Sequence, residues 1–152
     1  MNPNPYNLVT IDLMTEQDLD RVLLIEKSSF SHSWSRHSFE SEIGRNQLAV
    51  YRVARLEGQV VGYGGIWVIL DEAHLTTLAV DQSYRGRGIG TSLLLELMEN
   101  ARRAGARRMT LEVRPSNLVA RHLYEKYGFV SKGIRKKYYI DEDALLMTRD
   151  EL

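Results

Sequence analysis

Glu112 and Tyr124 are the two side chains whose types and spacing best suit proton transfer at one reacting centre. Glu112 sits in the run Thr110-Leu-Glu-Val113. Alternation along a strand points it away from the face that takes Leu111 and Val113. Tyr124 follows twelve residues on, with Asn117 between. Asn117, Arg121 and Tyr124 stand at i, i+4 and i+7 and share one helix face. A nucleophile such as an amine attacks only when unprotonated, and an α-amino group has a pKa of about 8. A carboxylate accepts that proton directly or through a water. A departing anion needs a proton back, and a phenol with an ordinary pKa of about 10 is a reasonable donor. Residue type alone leaves blander roles open: a strand Glu also serves as an ion-pair partner, and a helix Tyr as core packing.

A second constellation precedes this pair. The apolar run Leu75-Thr-Thr-Leu-Ala-Val80 leads through Asp81-Gln-Ser-Tyr84 to Arg85-Gly86-Arg87-Gly88-Ile89-Gly90, and a helix is expected to open at Thr91. Alternate glycines remove Cβ atoms where the helix begins, so several N–H groups can approach a ligand. The helix N-terminus adds positive potential, which suits phosphate oxygens. A Walker turn is excluded because no Gly-Lys-Ser/Thr follows. A dinucleotide turn fits poorly, since Thr91 stands near where the third glycine belongs and the glycines come several residues after the strand. A solvated glycine-rich loop is the bland alternative.

The elements that position these residues follow from periodicity. A short strand is expected over residues 7–12. Thr15 caps a first helix, with Asp18 three residues on as a partial capping box. Ser35 caps a second helix over residues 36–43, ended by Gly44. Residues 48–56 and 59–70 form a hairpin across Glu57-Gly58, and 74–80 form the next strand. Residues 91–104 make an amphipathic helix with Leu94, Leu97, Met98 and Ala101 on one face. A strand over 108–114, a helix from Ser116 or Asn117 to about Tyr127, and strands over 129–137 and 144–149 complete the chain. The expected fold is α/β in the broad sense (α+β): a mixed sheet with helices on both faces.

At 152 residues the chain suits a single domain over 1–152. Lys+Arg and Asp+Glu are both 20, so the net charge is zero, which argues against a general nucleic-acid binder. There is no cysteine, which excludes disulfides, thiolate metal sites and cysteine nucleophiles. The four histidines show no zinc-enzyme spacing, so no metal is expected. No apolar run reaches membrane-span length and the first residues lack signal-peptide features, so a cytoplasmic location is expected.

The pattern Arg85-x-x-Gly88-x-Gly90, between a Leu-Ala-Val strand and an amphipathic helix, resembles the acetyl-CoA signature of the GNAT acetyltransferases. That resemblance implies the GNAT fold, with a mostly antiparallel mixed sheet, and acetyl-CoA as co-substrate. It implies that the backbone of Leu78, Ala79 and Val80 pairs with the pantetheine arm. The turn from Arg85 through Gly86, Arg87, Gly88, Ile89 and Gly90 to Thr91 would hold the pyrophosphate. The spacing of Glu112, Asn117 and Tyr124 resembles the RimI branch, whose members acetylate protein N-termini, typically the N-terminal alanine of a small-subunit ribosomal protein. Carried over, Glu112 is the base, Tyr124 the acid, and Asn117 a CoA contact.

Beyond that core, the segment Phe30-Ser-His-Ser-Trp34 resembles the aromatic loop of that branch, with Ser33 where Pro commonly stands. Tyr138-Tyr139 resembles a tail that wraps the acceptor peptide. Trp34, Glu72, Tyr138 and Tyr139 are therefore candidate substrate contacts. Trp34 also reads as packing and Glu72 as a solvated turn residue. On a regular strand only one of the two tyrosines can face inward. His74 is read as a buried structural residue. Expected partners are acetyl-CoA and a protein N-terminus, such as that of a ribosomal protein, with a monomer compatible with the sequence. The alternatives are a small amine or lysine side chain as acceptor, and a non-enzymatic acyl-CoA-binding module.

Overall fold

The computed structural model describes residues 9–152. Among the described residues, seven strands and four α-helices follow one another in the expected order. β1 covers Val9–Leu13; Asn7 and Leu8 of the expected first strand lie outside the described residues. Thr15 and Asp18 close a reciprocal capping box, the Thr15 N–H donating to Asp18 Oδ2 at 2.9 Å. A short 3₁₀ turn then leads into α1, Leu19–Ser29. Ser35 accepts from the Ser38 N–H and starts α2, Arg36–Gly44. β2 (Ala49–Leu56) and β3 (Gln59–Ile69) form the hairpin. Glu57 and Gly58 both take positive φ, 51° and 82°, as a two-residue hairpin turn requires.

β4 spans Glu72–Val80, α3 Ile89–Arg103, β5 Arg108–Val113, α4 Leu118–Lys126, β6 Val130–Arg135 and β7 Ala144–Arg149. The sheet order is β1-β2-β3-β4-β5-β7-β6. Every pairing is antiparallel except β4 with β5.

Alternation of side chains fills both faces of the sheet. On one face, Leu19, Val22 and Ile25 of α1 and Phe39 of α2 pack with Tyr51, Val53 and Tyr63. On the other, Leu94, Leu97, Met98 and Ala101 of α3 meet Leu75, Met109, Leu111 and Met147, and Tyr124 of α4 joins them. No helix among the described residues is long and apolar enough to cross a membrane.

Candidate active site

β4 and β5 run side by side only from Glu72 and Arg108 to Leu75 and Leu111. β4 then continues to Val80 and β5 to Val113 without further pairing to each other. A cleft of about 730 Å³ opens where they part, lined by Leu75 to Leu78 on one side and Leu111 to Arg114 on the other. A bulge sits at the same point. Gly65 pairs with Thr77 and Ile66 with Leu75, leaving Thr76 as the extra residue. Bulges bend the strand that carries them. The Thr76 hydroxyl donates to the Gly65 carbonyl at 3.1 Å and meets the Tyr51 hydroxyl at 2.9 Å. A β carbon at Gly65 would stand 2.3 Å from the Tyr51 ring, so glycine lets that ring lie against the strand.

Leu78, Ala79 and Val80 pair with β3 on one edge and leave the other edge of β4 without a strand partner. After them, α3 opens at Ile89, two residues before the expected Thr91, so Gly90 lies within its first turn. Gly86 and Gly88 hold φ of 78° and 81°, the left-handed region that favours glycine. Among the described residues, the N–H groups of Gly86, Arg87, Gly88, Ile89, Gly90 and Thr91 have no protein acceptor. Such a row of free donors at a helix N-terminus suits a pyrophosphate. Arg85 turns back onto the scaffold, its Nε donating to the Val80 carbonyl at 3.1 Å. The Arg87 guanidinium lies 5.1 Å from the Tyr84 ring centre.

Glu112 and Tyr124 face the same cleft from opposite layers. The Glu112 side chain is only 6% exposed. Its Oε2 lies 2.5 Å from His74 Nε2, and its Oε1 accepts from Arg135 Nη1 at 2.6 Å. Burial pushes its carboxyl up, but His74 and Arg135 outweigh burial and hold it below the usual carboxylate range. Tyr124 is buried beside Phe129, ring centres 5.8 Å apart. Burial, with Tyr139 nearby, raises its phenol well above the ordinary value. The phenol therefore keeps its proton through the neutral range.

The other expected residues divide. Asn117 lines the cleft, while its side-chain oxygen accepts from the Ala120 N–H at 3.2 Å and caps α4. Trp34 lines the cleft and packs on Phe39 at 5.3 Å. Its backbone N–H donates to Glu26, a buried carboxylate that also accepts from the Tyr63 hydroxyl. Glu72 does not line the cleft; it stands at the far end of β4, 3.6 Å from Arg108. β6 stops at Arg135, so Tyr138 and Tyr139 sit in a loop and both line the cleft, contrary to the one-inward expectation for a strand. Their rings are perpendicular, 5.0 Å apart. Burial pushes Tyr139 up to about 12. Arg114 stacks on Tyr139 at 4.2 Å and pairs with Asp141 at 2.6 Å, tying that loop to the end of β5.

His74, expected to be buried, has a side chain 31% exposed and pairs directly with Glu112, and Arg135, which carries no sequence signature, completes the contacts of that carboxylate. His74 and Glu112 stand on the same face of adjacent parallel strands, with His74 in register with Thr110. That register joins residues 38 apart and leaves no local signature.

A strand-flanked row of free N–H donors, an open strand edge and a cleft holding Glu112 and Tyr124 lie along the same half of the sheet. A model of the Acetyltransferase (GNAT) family matches residues 19–129. The chain belongs to this family. It is an N-acetyltransferase, and acetyl-CoA is its co-substrate. It is 43% identical over 136 residues to a Bacillus subtilis (strain 168) protein provisionally named a ribosomal protein bS18-alanine N-acetyltransferase, covering 88% of this chain and 90% of that protein. The crystal structure of the ribosomal-protein-S18-alanine N-acetyltransferase from Escherichia coli matches with a TM-score of 0.84 at 32% identity, over 95% of each chain. The PaiA N-acetyltransferase of Thermoplasma acidophilum, solved in complex with coenzyme A, shares the fold with a TM-score of 0.82 at 20% identity, over 93% of this chain and 98% of that one.

Proposed function

We propose that residues 1–152 act as one unit that acetylates the N-terminal α-amino group of a protein, with the N-terminal alanine of a small-subunit ribosomal protein as the favoured acceptor. The observation that carries this is the likeness to bS18-alanine N-acetyltransferases across nearly the whole length of both chains. The shared cleft of Glu112, Tyr124, Tyr138 and Tyr139 supports it. A ribosomal-protein acceptor implies action in the cytoplasm.

Acetyl-CoA supplies an acetyl group activated as a thioester. The open edge at Leu78, Ala79 and Val80 and the free N–H groups from Gly86 to Thr91 suit its pantetheine and pyrophosphate. Glu112 receives the proton of the attacking amine. Tyr124 keeps a proton at hand for the leaving thiolate. Transfer is direct, since the chain has no cysteine to carry an acyl intermediate and the geometry needs none. Tyr138 and Tyr139 border the acceptor's first residues.

A panel of peptides differing only in their first residue, assayed for CoA release, tests the acceptor. Ala-initiated peptides are expected to turn over fastest. Equal rates across the panel, or faster release with free polyamines, would overturn the assignment.

A further inference from the structure

The cleft has a blind end. The free N–H groups of Gly86 to Thr91 stand beyond the Val80 end of β4. From Val80 the unpaired edge of β4 runs back to Leu75, which is joined to Leu111 of β5. A carrier with its pyrophosphate at that turn and its arm along that edge brings its thioester to the junction of the two strands. Leu75 and Leu111 both line the cleft, although they are only 5% and 1% exposed. Behind them lies the apolar cluster that holds Ile66, Leu94 and Leu97. The next residue, Thr76, is tied back, its hydroxyl donating to the Gly65 carbonyl. Two buried leucines thus make the floor at the closed end.

We infer that Leu75 and Leu111 set the length of the acyl chain the enzyme transfers, taking an acetyl group in preference to every longer chain. This deepens the preceding proposal and rests on its placement of the carrier, though not on which amine is acetylated. The sulfur lies towards the carrier's arm. The amine comes from the side of Glu112, which alternation turns away from Leu111. The alkyl end of the acyl group is left facing the floor. A methyl group rests against it. Each further methylene must push into side chains already packed to interior density, which forces them off their rotamers. The bonds are the same for any chain. The carbonyl carbon binds the amine nitrogen, the nitrogen gives up one proton, and the carbon–sulfur bond breaks with its electron pair on sulfur.

The two leucines act at one spot. They are register partners on adjacent parallel strands and belong to one apolar cluster, so shortening either deepens the same end of the cleft. Leu78 and Val113 also line the cleft, but they stand where the strands have parted, beside the arm. Met98 belongs to the same cluster as the leucines, is 8% exposed and does not line the cleft. Its truncation loosens that core without lowering the floor.

The test gives the whole chain, with whichever amine the wild type acetylates, an equimolar mixture of acetyl-CoA and propionyl-CoA, and then of acetyl-CoA and butyryl-CoA. Mass spectrometry counts the acyl products. Both donors compete for the same active molecules, so the product ratio does not depend on how much of a variant is folded. The wild type is expected to favour acetyl over propionyl roughly tenfold, and to disfavour butyryl by roughly tenfold more. Leu75→Ala and Leu111→Ala should each raise the propionyl-to-acetyl ratio roughly tenfold. The milder Leu75→Val and Leu111→Val should raise it by less, and they supply the reading if the alanine variants do not fold. Met98→Ala should leave the ratio at the wild-type value. A wild type that transfers butyryl as readily as acetyl, floor variants with the wild-type ratio, or an equal shift in Met98→Ala would each overturn the inference. If the wild type acetylates lysine and not N-termini, the acceptor assignment fails while the product ratio is still read on lysine.

Discussion

Glu112 and Tyr124 face one cleft in opposite electrostatic settings. Two cationic or proton-donating partners hold Glu112 ionised, and an apolar bed holds Tyr124 protonated. These environments fix the resting states, Glu112 ionised and Tyr124 protonated, which the proposed base and acid roles require. Tyr124→Phe removes the proton and keeps the ring that packs on Phe129. Turnover is expected to fall roughly 100-fold. Acetyl-CoA affinity should stay within about a factor of two, because the loss falls on the chemical step. Stopped-flow kcat alongside calorimetric Kd checks this; unchanged turnover would remove Tyr124 from the mechanism. Both residues were legible in the sequence through their flanking patterns, strand alternation for one and helical spacing for the other. Their partners were not, because His74 and Arg135 reach Glu112 only through sheet pairings set by the whole fold.

At the scale of elements, the turn before α3 is defined by backbone conformation. Gly88 caps the helix at φ 81°. Gly88→Ala is expected to cost about 1 kcal/mol in stability from left-handed strain. It should also weaken acetyl-CoA binding roughly tenfold by re-aiming the N–H groups, and isothermal titration reads that directly. An unchanged Kd would take the turn out of the cofactor site.

The start of α1 depends on Asp18, buried at 5% exposure and gripped by Arg55 at 2.7 and 3.0 Å. Burial pushes the Asp18 carboxyl up, but Arg55 and the Thr15 N–H outweigh it and leave it below the usual range. A depressed folded pKa stabilises fully above the unfolded value of about 3.9 and ceases to as pH falls through the folded value. Asp18→Asn should therefore cost roughly 2 kcal/mol at neutral pH. Urea unfolding should show that gap closing below about pH 4; a gap independent of pH would mean the carboxylate charge is not what stabilises the corner.

Across the whole molecule, one parallel pairing creates the site. β4 and β5 pair for four residues and then separate, and Glu112, Asn117, Tyr124, Tyr138 and Tyr139 line the cleft that opens there. The order of strands and helices was readable because each element carries its own period and its own stop, such as Glu57-Gly58, Gly105 and Gly128. The separation was not readable. It depends on the Thr76 bulge and on Tyr51 lying against Gly65, contacts between residues far apart in the chain. The loop that carries Tyr138 and Tyr139 is hidden for a related reason. The sequence suggests a strand reaching Lys137, but β6 is an exposed edge strand with no buried face to enforce a period, and it ends at Arg135.

The central claim is that this cleft directs acetyl transfer to a protein's α-amine. A peptide beginning with alanine and carrying an internal lysine, incubated with the enzyme and acetyl-CoA, tests it most directly when fragment mass spectrometry maps the added acetyl group. The prediction is one acetyl group on the α-nitrogen with wild type and a severely slowed appearance with Glu112→Gln. Acetylation of the lysine Nζ instead, or α-acetylation at the wild-type rate in Glu112→Gln, would contradict it.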